Sequence, residues 1–582
     1  MIGFKGLTFV LFAIGCVVVS GCSDPLPKLQ VNPDASTDTD SDSDTDVDTD
    51  TDTDADTDVD TDVDTDVDTD TDTDTDIDTD TDTDTDTDTD TDSDTGSETE
   101  TTLCPFDCMS EMLCGLVDGS VLLEFDCPSA FDVCCELGGD TGSDTGTGTG
   151  SDTGSGTGTD TGTDTGTGED TDYVEQIEAG DMHNCAISST GRVRCWGINS
   201  LGQLGHADTD WIGDNETPAS AGDVDVADIS DFVVQLAAGG YHNCALLDSG
   251  AVRCWGWGYY GQLGYASTAN IGDDELPVSA GDVLVSNGVE AVEQLVAGAY
   301  HTCALYDNAE VRCWGHNYYG QLGYGNTENI GDNEHPATVG FVDIADEGDS
   351  VVQLAAGRYH TCALLESGAV RCWGWGYWGQ LGYGDEENIG DNETPASAGN
   401  VDINGVSEDV VVAIAAGGYH NCAQMLSGAV RCWGSGMYGR LGYADTEDVG
   451  DDETPASAGN VTYADPGDPL NDLVVGGYHT CALLNLDGVR CWGWSYYGQL
   501  GYGHDLNIGD DETPLSAGAA LVADTDDAVL ELTAGSYHNC ALLDTGEVRC
   551  WGSGYYGQLG YGNTEHIGND EDPATAGDVL VF

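Results

Sequence analysis

From Tyr173 onward, short apolar runs alternate with breaks rich in Gly, Pro and Asp, and the pattern recurs every 59 or 60 residues. One copy runs Val351-Val352-Gln353-Leu354-Ala355-Ala356, then His360-Thr361-Cys362-Ala363-Leu364-Leu365, then Val370-Arg371-Cys372-Trp373-Gly374. It continues through Gly379-Gln380-Leu381-Gly382 and an acidic loop to Pro395, and ends near Val401-Asp402-Ile403. Each run is of strand length and bounded by turn residues, which predicts four short strands per unit. The Cys-Trp-Gly triplet marks seven units, at Cys195, Cys254, Cys313, Cys372, Cys432, Cys491 and Cys550. One such unit cannot bury both faces alone. Neighbours must stack, and closing the stack into a ring removes its exposed ends, so the expected fold of 173–582 is an all-β, seven-bladed β-propeller.

Each unit repeats G-x-x-H-[TN]-x-A-L, then G-x-V-x-x-W-G, then G-Q-L-G, with small departures. This resembles the regulator-of-chromosome-condensation repeat family, over about 400 residues. The resemblance implies a seven-bladed propeller. The member that names the family is a chromatin-bound exchange factor for a small GTPase. Another protein of this fold is a secreted bacterial inhibitor of β-lactamases that works through an aromatic-rich face.

Charge separates those precedents. The chain of 582 residues carries a formal charge of −97, and 173–582 hold 61 Asp and Glu against 10 Arg, a net of −51. Phosphate neutralisation needs surface Lys and Arg, so a nucleic-acid partner is excluded and the chromatin role is not expected. Twenty-two Cys point to an oxidising compartment.

The N-terminal third fits that location. An apolar run from Leu7 to Val19 is too short for a spanning helix and reads as a signal peptide over 1–21. Val19-Ser20-Gly21-Cys22 resembles a bacterial lipobox, which implies cleavage before Cys22 and lipidation of its thiol. The expected location is therefore the bacterial cell envelope, with a lipid anchor as the sole membrane contact. Residues 36–100 are almost wholly Thr-Asp, too polar and too charged to bury a core, and predict a disordered acidic spacer within 22–103. Six Cys at 104, 108, 114, 127, 134 and 135 predict a small disulfide-rich module over 104–137, faintly similar to clip-type modules, with no pairing assigned. A Gly/Thr/Asp linker at 138–172 follows.

Each propeller unit carries two Cys ten residues apart: Cys185/Cys195, Cys244/Cys254, Cys303/Cys313, Cys362/Cys372, Cys422/Cys432, Cys481/Cys491 and Cys540/Cys550. A hairpin centred on Ser367 sets Cys362 opposite Cys372 at bridging distance, so seven disulfides within units are expected. Zinc held by Cys and the nearby His is the rival reading. The repeated His183, His242, His301, His360, His420, His479 and His538 look catalytic, but seven equivalent copies argue for a structural hydrogen bond. Trp196 and its equivalents read as packing. Seven Arg, from Arg194 to Arg549, precede Cys-Trp-Gly and are expected to pair with carboxylates or stack on rings. Arg440 replaces the Gln of Gly-Gln-Leu-Gly, which marks the fifth unit as different.

Two features look less structural. Aromatic pairs precede Gly-Gln-Leu-Gly: Tyr259-Tyr260, Tyr318-Tyr319, Tyr377-Trp378, Tyr496-Tyr497 and Tyr555-Tyr556, with Ser200-Leu201 and Met437-Tyr438 in the remaining units. Loops at one face would assemble a broken aromatic ring suited to a protein or a glycan, or else pack between blades. The second is Ile-Gly-Asp-[Asp/Asn]-Glu-x-Pro, which places Asp214 and Glu216, Asp273 and Glu275, Asp332 and Glu334, and Asp391 and Glu393 in acidic turns that Ca²⁺ would suit. No other cofactor is expected. No catalytic set stands apart from the repeat, so the sequence reads as a non-enzymatic, surface-anchored interaction module. A structural or calcium-loaded envelope component is the alternative, and a nucleotide exchange factor stands last.

Overall fold

The computed structural model describes residues 172–582, except positions 230, 406, 408, 487, 525 and 526, and three strand segments before them. Those segments, Cys108–Ser110, Ser120–Leu122 and Asp132–Glu136, form an antiparallel sheet with the last strand in the middle. The six-Cys pairing, the lipidation site at Cys22 and the Thr-Asp spacer lie outside the described residues.

From Val174 the chain builds seven three-stranded antiparallel sheets, one per repeat, numbered here as blades 1 to 7 in chain order. In blade 4 the strands are Val351–Ala356, His360–Leu365 and Val370–Gly374, from the axis outward. The predicted fourth strand is missing. One isolated bridge stands in its place in blade 4, Gly374 with Ile389, and two in blade 1, where Gly197 pairs with Ile212 and Val193 with Val224. Proline explains the shortfall: Pro218 lacks the amide that a ladder needs and instead opens the turn of helix Pro218–Ala221 between the bridges.

The alternation of side chains sets the packing. In every middle strand the residues on both faces are buried, because each blade is sandwiched between two others. The seven Trp of Cys-Trp-Gly are among the largest fully buried side chains. Each inner strand has a β-bulge at its second residue, and the next residue, such as Gln353, then reaches the neighbouring blade.

Ring closure uses no exchanged strand. Val579 pairs with Val548 inside blade 7, and the Val581 carbonyl then accepts Arg194 Nη1 of blade 1 at 2.5 Å. Phe582 lies under the same guanidinium, 4.9 Å from its ring centroid. Among the described residues no helix is long and apolar enough to cross a membrane.

Candidate binding face

Antiparallel topology sends the turn after each inner strand and the loop after each outer strand to one end of the ring. The hairpin tips lie at the other end. The residues of the repeat first explain how the blades hold each other.

Each His Nε2 meets the Asn or Thr of the next blade: His183 with Asn243 Oδ1 at 3.0 Å, His242 with Thr302 Oγ1 at 2.8 Å, and so on to His538 with Asn184 at 3.0 Å across the closure. The Thr302 hydroxyl donates to the Gln262 carbonyl at 3.0 Å, so its oxygen accepts from the histidine and fixes the Nε2–H tautomer. Most of the Trp indoles donate to the same carbonyls, such as Trp255 to Gln203 at 3.0 Å. All seven His are fully buried, and burial lowers His183 to about 4 and His301 to about 3. A neutral, hydrogen-bonded imidazole in every blade is a fastener.

The Cys pairs are disulfides within blades, with Cα atoms 4.0 to 4.1 Å apart and Cys362 directly opposite Cys372. Of the Arg before them, Arg549 pairs with Asp578 at 2.8 Å and Asp524 at 2.9 Å and Arg312 stacks over Phe341 at 3.8 Å as expected, whereas Arg431 donates to Asn460 Oδ1 at 2.9 Å and to the Ile403 carbonyl.

The aromatic pairs divide their labour. The first ring faces solvent, with Tyr259 62% and Tyr318 69% exposed, and Tyr377, Tyr496 and Tyr555 likewise exposed. The second ring, Tyr260, Tyr319, Trp378, Tyr497 or Tyr556, is half-buried behind it and meets its partner edge to face, as at 5.0 Å between Tyr318 and Tyr319. The structure adds rings that the pair pattern did not single out. Tyr241, Tyr300 and Tyr359, each just before the histidine, stack in succession at 6.0 and 5.1 Å. Trp257, Trp375 and Trp494 join them to the exposed Tyr, as in the 6.0 Å stack of Trp375 on Tyr377. The signal was present in the sequence as Tyr-His and Trp-Gly-Trp. The result is an aromatic surface that runs from blade 2 through blade 6; at blade 5 Met437 replaces the exposed Tyr, while Tyr419 still links Trp375 at 6.2 Å to Tyr478 at 5.8 Å.

The acidic turns border this surface, since the Gly-Gln-Leu-Gly turn of one blade packs on the Ile-Gly-Asp turn of the next. A Cβ on Gly202 would lie 2.4 Å from the Asp273 amide, at a φ of +80° that glycine alone tolerates well. Their carboxylates are of two kinds. At Asp214 and Asp332 and Asp391 the following Asn amide donates to the carboxylate at 3.1, 2.9 and 2.9 Å. At Asp273-Asp274-Glu275, Asp451-Asp452-Glu453 and Asp510-Asp511-Glu512 three carboxylates converge within 4.8 Å. Burial and mutual repulsion raise Glu275, Glu453 and Glu512 to about 7. Of the turns first considered for calcium, then, Asp273 and Glu275 belong to a convergent group, while Glu216, Glu334 and Glu393 sit in the Asn-satisfied kind.

At blade 5 the surface folds into a groove of about 790 Å³ between Trp378, Met437 and Tyr438 on one side and Glu447, Asp448 and Asp451 on the other. Arg440 offsets this charge only in part, through its attraction to Asp448. Its guanidinium is buried beneath, 5.2 Å from the Tyr478 ring.

Fold and face together define a propeller whose internal polar groups are spent on joining blades and whose loops are left for contact with something else. The family model for the RCC1-like domain matches residues 137–467 and 231–578, and the chain belongs to that family. The ultraviolet-B receptor UVR8 of Arabidopsis thaliana is 32% identical over 389 residues, covering 67% of this chain and 79% of the receptor. The human E3 ubiquitin-protein ligase HERC2 is 29% identical over 306 residues, 53% of this chain but 6% of the ligase. Among solved structures, human WBSCR16 superposes with a TM-score of 0.51 at 20% identity, over 67% of this chain and 94% of that one.

Proposed function

We propose that this chain is a non-enzymatic interaction module of the bacterial envelope, held by lipid on Cys22, that captures a protein or glycan on its aromatic face. The observation that carries the reading is the row of solvent-facing Tyr259, Tyr318, Tyr377, Tyr496 and Tyr555 backed by half-buried rings. Large rigid aromatics gain contact area at little entropic cost, which is why they dominate binding hot spots. The bordering carboxylates and the absence of Lys beyond Lys28 favour a basic protein surface over an anionic one. Nucleic acid is disfavoured for the same reason. The ligase activity named for HERC2 is not carried over, because the match covers 6% of that protein.

The test is capture from whole cells and a glycan array, run with the full chain and with its Tyr259→Ala/Tyr318→Ala/Tyr496→Ala variant. A specific partner retained by the unchanged chain and lost by the variant is expected. Equal capture by both would overturn the reading. The three convergent Asp-Asp-Glu groups favour calcium loading as the second reading. It requires the melting temperature to rise with Ca²⁺ and Asp452→Asn to reduce that rise.

A further inference from the structure

Inside the channel, the third residue of each inner strand forms a ring of its own: Gln176, Gln235, Gln294, Gln353, Ala413, Asp472 and Glu531. Each glutamine closes a two-way clasp on the backbone of the following blade. Gln294 Oε1 accepts from the Leu354 amide at 2.9 Å while its Nε2 donates to the Leu354 carbonyl at 3.2 Å. Gln353 does the same to Ile414, at 3.0 Å in both directions. Gln176 and Gln235 repeat it on Leu236 and Leu295.

The clasp changes at the last two junctions, blade 6 to blade 7 and blade 7 to blade 1. Asp472 Oδ2 accepts from the Leu532 amide of blade 7 at 3.1 Å while its Oδ1 accepts from the Leu473 amide at 2.8 Å, and Glu531 faces the Ile177 amide of blade 1. Both preserve the accepting half of the glutamine pattern. An ionised carboxylate has no hydrogen with which to make the other half. Beside them Glu178, on the inner strand of blade 1, receives Gln176 Nε2 at 2.8 Å and turns into the same chamber of about 700 Å³. The other titratable groups lining that chamber are Glu175, Asp181 and Arg358, and Arg358 is engaged by Asp181. No positive charge is left there for the three carboxyls.

We propose that Asp472 and Glu531 make the last two junctions of the propeller, and above all the closing one, proton-sensitive: protonated, Glu531 serves as a glutamine between blades 7 and 1; ionised, it loses the donating half of the clasp, and both carboxylates repel Glu178. Desolvation raises Glu178 to about 7 and Asp472 to about 6, and lifts Glu531 well above its ordinary range, with both neighbours adding to it. Carboxyls raised in the folded state favour folding below the ordinary carboxyl range, and that contribution is lost as pH climbs through the raised values. The seam is therefore tightest in mild acid and loosens above neutrality, and the blade 7–blade 1 junction, which no peptide bond joins, is where loosening has its effect.

The test is the difference in melting temperature between the full chain and its Glu531→Gln variant, read at pH 5 and pH 8, so that every other pH effect cancels. Glutamine mimics the protonated acid. The variant should match the parent at pH 5 and exceed it by about 2 °C or more at pH 8. Asp472→Asn should follow the same course, while the channel-remote Glu386→Gln should show the same difference at both pH values. A Glu531→Gln effect equal at both pH values, or a loss confined to pH 8, would overturn the proposal.

Discussion

Arg358 of blade 4 reaches across the axis of the propeller to Asp181 of blade 1, with Nη2 2.7 Å from Oδ2 and both side chains 13% exposed. Ser536 of blade 7 completes the link, accepting from Arg358 at 3.1 Å and donating to Asp181 at 2.6 Å. In the other blades the same turn carries Gly240, Ala299, Gly418 and Gly477, so the pair is the sole charged crossing at this constriction among the described residues. The Asp181 charge and the surrounding Tyr hold Arg358 above its ordinary pKa. Removing one partner strands the other in a desolvated site, so Asp181→Ala should cost about 3 kcal/mol. The Asp181→Ala/Arg358→Ala double variant should recover a good part of that. Urea unfolding of the three variants measures the coupling, and additive losses would show that the pair is not coupled.

Disulfides make a different prediction, because they act on the unfolded chain. Each bridge closes a loop with a sequence separation of 10, for which the chain-entropy estimate gives about 3 kcal/mol. Cys362→Ala/Cys372→Ala should lower stability by that order without altering the fold of the other six blades. Peptide mapping without reductant should return all seven pairs. A cross-blade pair or a free thiol in the mapped propeller would contradict the structure.

Much of this was legible in the sequence because a repeated unit states its strands seven times. The Cys362–Cys372 register followed from the hairpin alone, and the structural role of His360 from its having six equivalents. What was not legible depends on distance in space. Nothing local to Arg358 announces Asp181, 177 residues away, nor does Glu531 announce Glu178 across the closure. The fourth strand was overestimated because an apolar Val401-Asp402-Ile403 run looks like a strand even where, as here, it makes one backbone hydrogen bond to Val370 and no bridge. The aromatic face was half seen: the adjacent pairs stood out, but Tyr300 and Tyr359 join them only because the turn brings successive blades together.

The seven histidines set the acid limit of stability. A folded-state pKa below the ordinary 6.5 means that stability is complete above that value and falls as pH drops toward the lowered one. For His360, the fall from 6.5 to about 4 is worth on the order of 3 kcal/mol. Similar terms from the other blades far outweigh the proton-sensitive seam, so the melting temperature should fall progressively as pH drops below about 6. Imidazole NMR should find none of the seven blade histidines titrating near 6.5 in the folded state, and one that does would mark a blade whose His is open to water.

Blade 5 offers a prediction of gain. In six blades the Gln of Gly-Gln-Leu-Gly accepts from the amide two residues before it, as Gln262 Oε1 does from Tyr260 at 3.0 Å and Gln380 Oε1 from Trp378 at 2.8 Å. Arg440 has no acceptor to offer, and its Nε donates instead to the Met437 carbonyl at 2.8 Å. Tyr438 consequently swings to φ 67° and ψ 12°, a left-handed conformation that costs a non-glycine residue about 1 kcal/mol. Burial lowers Arg440 to about 10, a sign that its charge is held at a cost. Arg440→Gln should restore the acceptor, return Tyr438 to the conformation of its counterparts and raise the urea midpoint. If the arginine instead shapes the aromatic groove for a partner, the more stable variant should bind that partner less well, and stability with binding measured on the same sample separates the two effects.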